Sequence, residues 1–318
     1  MGGLNIIDRM AGHATLILGV LIALSGGVMV SVGMTLQKKS HMVKPKKKSS
    51  VFVTPLWWIG SASLGIGELL NFVAFAFAPA SLLTPLGGWS VAIAGLLAIK
   101  ILGERPTRMK MIGLALCICG TMMVFAVFPM QHLGDGVVMT AVELHTRFFK
   151  RGVFRYLIGQ LVLIGLGILL DQVSDLGKKS SMLYLATCSC SEGLSVIAAK
   201  TGSIFLRDSV REWSTAHLSY FVVVVIVLAV TLPLQIVFIN KAMAEFGNTE
   251  VVPRHYVLFT LFTILGAQVV FKEFDSDKAN PIGLVFAIMT TTAGVHLVAS
   301  EDEQAKTAGN ELDSELPA

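Results

Sequence analysis

The stretch GELLNFVAFAFAPASLLTPLGG, Gly67–Gly88, lies inside a run from Ser49 to Ile99 whose single charged residue is Glu68. Asn71 stands three positions after that carboxylate, and Pro79 and Pro85 follow. A helix needs about 20 apolar residues to cross a bilayer, so the run is long enough for two crossings joined by a tight turn at Pro79.

The rest of the chain reads the same way. It has 318 residues, 54% hydrophobic and only 14% charged, where soluble domains carry about 25% charged residues. Charge-poor runs centre on residues 14–36, 55–77, 82–102, 110–128, 155–171, 182–204, 217–239, 254–271 and 280–300. The expected fold is an all-α polytopic membrane protein of about nine spans. The first apolar run is longer than the h-region of a signal peptide, and further spans follow it. Runs this continuous are not the alternating pattern of a β-barrel.

The four cysteines, Cys117, Cys119, Cys188 and Cys190, form two C-x-C pairs in apolar runs. Residues two apart point to different helix faces, so neither pair is a chelate and all four read as small packing residues. There is no Ser-His-Asp constellation, P-loop or metal-hydrolase spacing, so no enzyme, cofactor or nucleic-acid partner is expected. The bilayer is the expected surrounding, and a homo-oligomer is compatible with it.

Basic residues mark the sides. Lys38, Lys39, Lys44, Lys46, Lys47, Lys48, Lys100, Arg105, Arg108, Lys110, Lys178, Lys179, Lys241, Arg254 and Lys306 fall on one side. Arg9, Arg147, Lys150, Arg151, Arg155, Arg207, Arg211, Lys272 and Lys278 fall on the other. The richer side is expected to be cytoplasmic, with the N-terminus outside and the C-terminus inside. The basic segment ELHTRFFKRGVFR, Glu143–Arg155, dissents. It is either an amphipathic surface helix or a sign that the span count is off by one. Residues 301–318, with six acids and one lysine, read as a disordered tail.

The chain also repeats itself. Asn71 and Asn240, like Glu104 and Glu273, are 169 residues apart; Pro85 and Pro253 differ by 168, Gly113 and Gly283 by 170. Spans 1–4 (about 14–128) thus match spans 6–9 (about 182–300), with span 5 and its connector at about 129–175 between them. An odd number of crossings separates matched helices, so the halves face opposite ways. Inverted repeats of this kind place a substrate site at mid-membrane between them in secondary transporters.

GELLNFVAFAFAPASLLTPLGG, LGERP, TCSCSEGLSVIAAKTGS (Thr187–Ser203) and LQIVFINKAMAEFGNTEVVPRHYVLFT (Leu234–Thr260) resemble the NIPA family of magnesium transporters, within the drug/metabolite transporter superfamily. The resemblance spans nearly all of residues 14–300. It implies nine spans, inverted repeats and Mg2+ transport in plasma or endosomal membranes. Four positions depart from the family's pattern. Val252-Pro253 replaces Thr-Pro, Glu192 stands where a small uncharged residue is expected, and Arg254 and His255 replace apolar or aromatic residues.

Glu68 precedes Pro79 by 11 residues, about 16 Å of helix, close to half of a hydrocarbon core about 30 Å thick. An acid at that depth costs on the order of 2.5–3.5 kcal/mol to insert. Asn71 shares its face at i+3. Together they offer the oxygen ligands that a partly hydrated Mg2+ accepts, and they are the expected metal ligands. Asn240 and Gln235 offer amides from the second half, and Glu192 a carboxylate. A second reading makes Glu68 a helix clamp, protonated or paired with Lys200 or Lys38. Thr84-Pro85 is expected to open span 3. A helix N-terminus suits an anion, which lends weight to the alternative function, transport of a small organic metabolite.

Cysteines introduced at Ser49 and Ser314 should resist an impermeant thiol reagent on intact cells and react after permeabilisation. Labelling of both from outside would reverse the topology.

Overall fold

The computed structural model describes residues 2–42, 54–104, 107–127, 139–174, 176–211, 215–273 and 281–315. Lys44, Lys46, Lys47, Lys48, Arg105 and Lys278 lie outside them. The helices are α1 (Gly2–Met42), α2 (Pro55–Ala74), α3 (Ala80–Leu102), α4 (Arg108–Val127), α5 (Ala141–Phe148), α6 (Arg151–Val173), α7 (Ser181–Arg211), α8 (Thr215–Phe246), α9 (Asn248–Phe271) and α10 (Pro281–Glu315). No strand occurs among the described residues.

Among the described residues, eight helices are long and apolar enough to cross a membrane: α1, α3, α4 and α6 through α10. The expected second span falls short, because Glu68, Asn71 and its glycines and serines dilute α2. Yet α2 lies along α1 over the full apolar length. Gly19 of α1 abuts Ala78 just beyond α2, Gly26 faces Gly67, and Gly33 faces Gly60 in antiparallel order. A Cβ on Gly67 would come within 2.7 Å of Val30 N and 2.8 Å of the Gly26 carbonyl oxygen. Without a hydrophobic drive between helices in lipid, such close backbone packing is what holds them.

Glycines close the α4–α10 pair as well, where Gly113 and Gly294 each bring backbone against backbone. In the second half, α7 and α8 run antiparallel, with Tyr184 beside Phe238 and Phe205 stacked on Tyr220. The surface is apolar: Leu161, Val173, Val230 and Met289 are well exposed, a surface suited to lipid rather than water.

Polar contacts gather at two ends. At one, Lys38 and Lys110 each hold Glu104 at 2.6 Å, and Lys110 also holds Asp302 at 2.6 Å. Desolvation pushes the Glu104 carboxyl up, but the two lysines outweigh it and hold it below the ordinary carboxylate value. That contribution to stability is present at neutral pH and fades as pH falls through the lowered value. Thr107 donates to Glu301, and the last helix continues to Glu315, where a disordered tail is expected. At the opposite end, the first part of the basic segment lies in the short helix α5, opened by a Thr140–Glu143 capping box. Ala141 N donates to Asp208 and Arg147 to the Phe271 carbonyl, while Leu144 is buried. Only residues 143–148 of the basic segment fall in this helix; Arg151 and Arg155 open α6.

Gly67→Ala should destabilise the protein by about 1–3 kcal/mol, seen as a lower Tm in detergent. Gly65→Ala, with nothing within 4 Å of its Cβ, should be neutral or stabilising.

Candidate functional site

Glu68 lies halfway along the helix that flanks it. Its neighbour Gly67 packs on Gly26, which stands at the middle of the apolar length of α1, His13–Ser40. The carboxylate is exposed, on the helix face that it shares with Ser61, Leu64 and Phe72. Ser61 and Leu64 lie against Gln37 and Gly33 of α1, while the Phe72 ring, one turn beyond Glu68, reaches Gly202 of α7. Asn71 is half-buried; its side chain is within hydrogen-bonding reach of Glu68 and lies over Gly26, where any Cβ would meet Asn71 Oδ1 at 2.6 Å.

The lysines offered as clamps for Glu68 are engaged elsewhere. Lys38 binds Glu104, and Lys200 is buried against Glu273. Among the described residues, no basic group pairs with Glu68.

Lys200 and Glu273 belong to an interlock around the break between α2 and α3. Glu273 follows the end of α9, with its carboxylate turned onto the start of α3. Ala80 N donates at 2.8 Å, Ser81 N at 2.7 Å and Ser81 Oγ at 2.5 Å. Lys200 completes the pairing, reaches the Ala78 carbonyl and lies 4.8 Å from the Phe271 ring centroid. Arg207 holds the Ala76 carbonyl at 2.9 Å. Two basic side chains thus satisfy the carbonyls of the break, and one acid satisfies the amides that follow it.

Thr84 is not where span 3 opens. The helix starts at Ala80, and Thr84–Leu86 forms a 3-10 turn inside it. Thr84 Oγ1 donates to its own Ala80 carbonyl, so the hydroxyl is used locally. Pro253 likewise lies inside α9 rather than at its first residue.

A second polar cluster sits in the second half. Glu192 and Cys188, one turn apart on α7, meet His255 of α9: His255 Nε2 is 2.7 Å from Glu192 Oε2, and Cys188 Sγ is 3.7 Å from Glu192 Oε1 and 3.8 Å from His255 Nε2. Gln235 of α8 donates to Ser195 Oγ at 2.5 Å, which lies 2.6 Å from Thr231 Oγ1, and the Gln235 carbonyl accepts from Cys188. Glu192 and Gln235 are therefore brought together. Asn240 is not: it is exposed on α8, beside the Lys241–Asp171 pair at the end of the helix. Among the described residues, no hydrogen bond joins Glu68 or Asn71 to this cluster.

Sequence reasoning missed His255 and took Cys188 for packing. Counting a carboxylate and an imidazole as two departures in one chain, 63 residues apart, was the available signal. It is their pairing that no local pattern reports. Cys190, two residues along, turns away to Gln160.

A family model described as "Magnesium transporter NIPA" matches residues 14–304. The probable magnesium transporter NIPA4 of Arabidopsis thaliana is 32% identical over 279 residues, 83% of this chain and 78% of the relative. A probable magnesium transporter of Candida albicans is 29% identical over 293 residues, 88% of this chain and 77% of the relative. The magnesium transporter NIPA3 of Pongo abelii is 28% identical over 307 residues, 93% and 73%. No solved structure matches.

Lys200→Met should strand Glu273 as a buried charge and destabilise the protein by about 3–5 kcal/mol, read as a large fall in Tm. The double variant Lys200→Met with Glu273→Gln should recover part of it.

Proposed function

Because the chain belongs to the magnesium transporter NIPA family, we propose that it carries Mg2+ across the membrane, with Glu68 and Asn71 as the ligands at mid-depth. The observation that carries this reading is an exposed carboxylate, halfway through the apolar length, with no basic partner among the described residues. A carboxylate left without a protein cation is available to a substrate cation. One acid and one amide suffice, because Mg2+ keeps most of its waters.

In this reading α2 is the ninth crossing, tolerated despite its carboxylate because α1 covers its glycine face. The two halves form inverted repeats. Three resemblances between them support this: α1 pairs with α2 as α7 pairs with α8, the glutamate after each third helix takes a lysine from the first helix of its half (Glu104 with Lys38, Glu273 with Lys200), and each inner proline falls five residues into its helix. The N-terminus is outside and the Lys38 end cytoplasmic, in a plasma or endosomal membrane.

The organic-metabolite alternative leaned on the start of α3 as an anion site. Those amides are already taken by Glu273, so that support falls away and the cation reading stands.

Glu68→Gln keeps volume and one oxygen and removes the charge. In reconstituted vesicles it should raise the Mg2+ concentration for half-maximal uptake about fivefold or more, with expression unchanged. Unchanged apparent affinity would make the carboxylate structural.

A further inference from the structure

We infer that Cys188, Glu192 and His255 form a binding site for a borderline divalent cation of the Zn2+ class, distinct from the all-oxygen Glu68 site. The site goes beyond the Mg2+ reading and does not depend on it.

The first argument is geometric. Cys188 and Glu192 lie four residues apart on α7 and so share a face, and His255 comes from α9 to meet them. One ligand atom from each lies within 4.8 Å of the others. A tetrahedral Zn2+ with bonds of about 2.3 Å to sulfur and about 2.0–2.1 Å to nitrogen and oxygen sets ligand–ligand edges of roughly 3.3–3.6 Å. The two sulfur edges, 3.8 Å to His255 Nε2 and 3.7 Å to Glu192 Oε1, are within a few tenths of that. The 2.7 Å contact of His255 Nε2 is with the other carboxylate oxygen, Glu192 Oε2, and is shorter than a coordination edge. That contact is a hydrogen bond, which a cation bound between the two groups would replace.

The second argument is chemical. Imidazole and thiolate with one carboxylate suit Zn2+, Co2+ and their neighbours, whereas Mg2+ prefers oxygen and water. A simple helix clamp needs only Glu192 and His255; it gives no reason for a thiol within reach of both.

The third argument is the surroundings. Cys188 is buried, while Glu192 and His255 are 18% and 23% exposed, so the ligands are sheltered on one side and open on the other. The backbone carbonyl of Gln235 accepts from Cys188 Sγ at 3.5 Å, and the Gln235 side chain donates to Ser195 Oγ, which in turn meets Thr231. Of the three ligands, Cys188 is thus positioned by a contact from a further helix, as metal ligands are by their outer-shell partners.

The test uses the full chain in detergent, titrated with Co2+ as the spectroscopic stand-in for Zn2+. The expected result is saturation at one Co2+ per chain with a thiolate-to-cobalt charge-transfer band, displaced by Zn2+ and not by a large excess of Mg2+. Cys188→Ser should abolish the band, and His255→Gln should weaken Co2+ binding at least about tenfold. Should either variant fail to fold, the other and the wild-type competition decide. No saturable binding, displacement by Mg2+, or a band that survives Cys188→Ser would overturn the proposal. A band lost in Glu68→Gln would also overturn it, because the two sites would then be one.

Discussion

The carboxylate of Glu273 is the point on which the architecture turns. It follows the last residue of α9, yet it accepts the first amides of α3 and pairs with Lys200 of α7. A lone buried charge would cost several kcal/mol; here three donors and a lysine compensate. The same contacts satisfy the helix start that the break after α2 leaves open. One side chain of the second half thereby sets where α3 begins, and with it where α2 ends. The depth of Glu68 follows from that and from the glycine contacts of α1.

Two chemically different polar clusters result. Around Glu68 the donors are oxygens, the carboxylate is exposed and its neighbours α1 and α2 meet backbone to backbone. Around Glu192 the donors are oxygen, nitrogen and sulfur, each held by contacts from a neighbouring helix. A hard, hydrated cation fits the first set and a softer one the second. The chain keeps them on different helices, α2 in one case and α7 with α9 in the other.

Much of this was legible in the amino-acid order. Charge-free runs long enough for a bilayer must become helices, since no other backbone satisfies itself in lipid without closing into a barrel; α3, α4 and α6 to α10 appear where those runs lie. The Glu68–Asn71 spacing fixed a shared face by helix geometry alone, and the depth counted back from Pro79 agrees with the contact between Gly67 and Gly26. The basic segment at 143–155 was legible only in part, since it divides between α5 and the start of α6.

What local order could not decide is pairing between distant residues. From the sequence Lys200 is only one candidate partner for Glu68, and the approach of α9 to α3 makes it the buried partner of Glu273, 73 residues away. Thr84-Pro85 carries the signal of a helix start, but Glu273 supplies a better one four residues earlier at Ala80, so the prolyl turn is left inside the helix. Asn240 matches Asn71 by offset but points away, because the offset aligns positions along the chain and not the rotation of each helix against its neighbours. Cys188 and His255 carry no shared motif; α7 and α9 bring them together. Span, depth and face follow from period and length, which are local. Which charge meets which follows from helix packing, which only the folded chain defines.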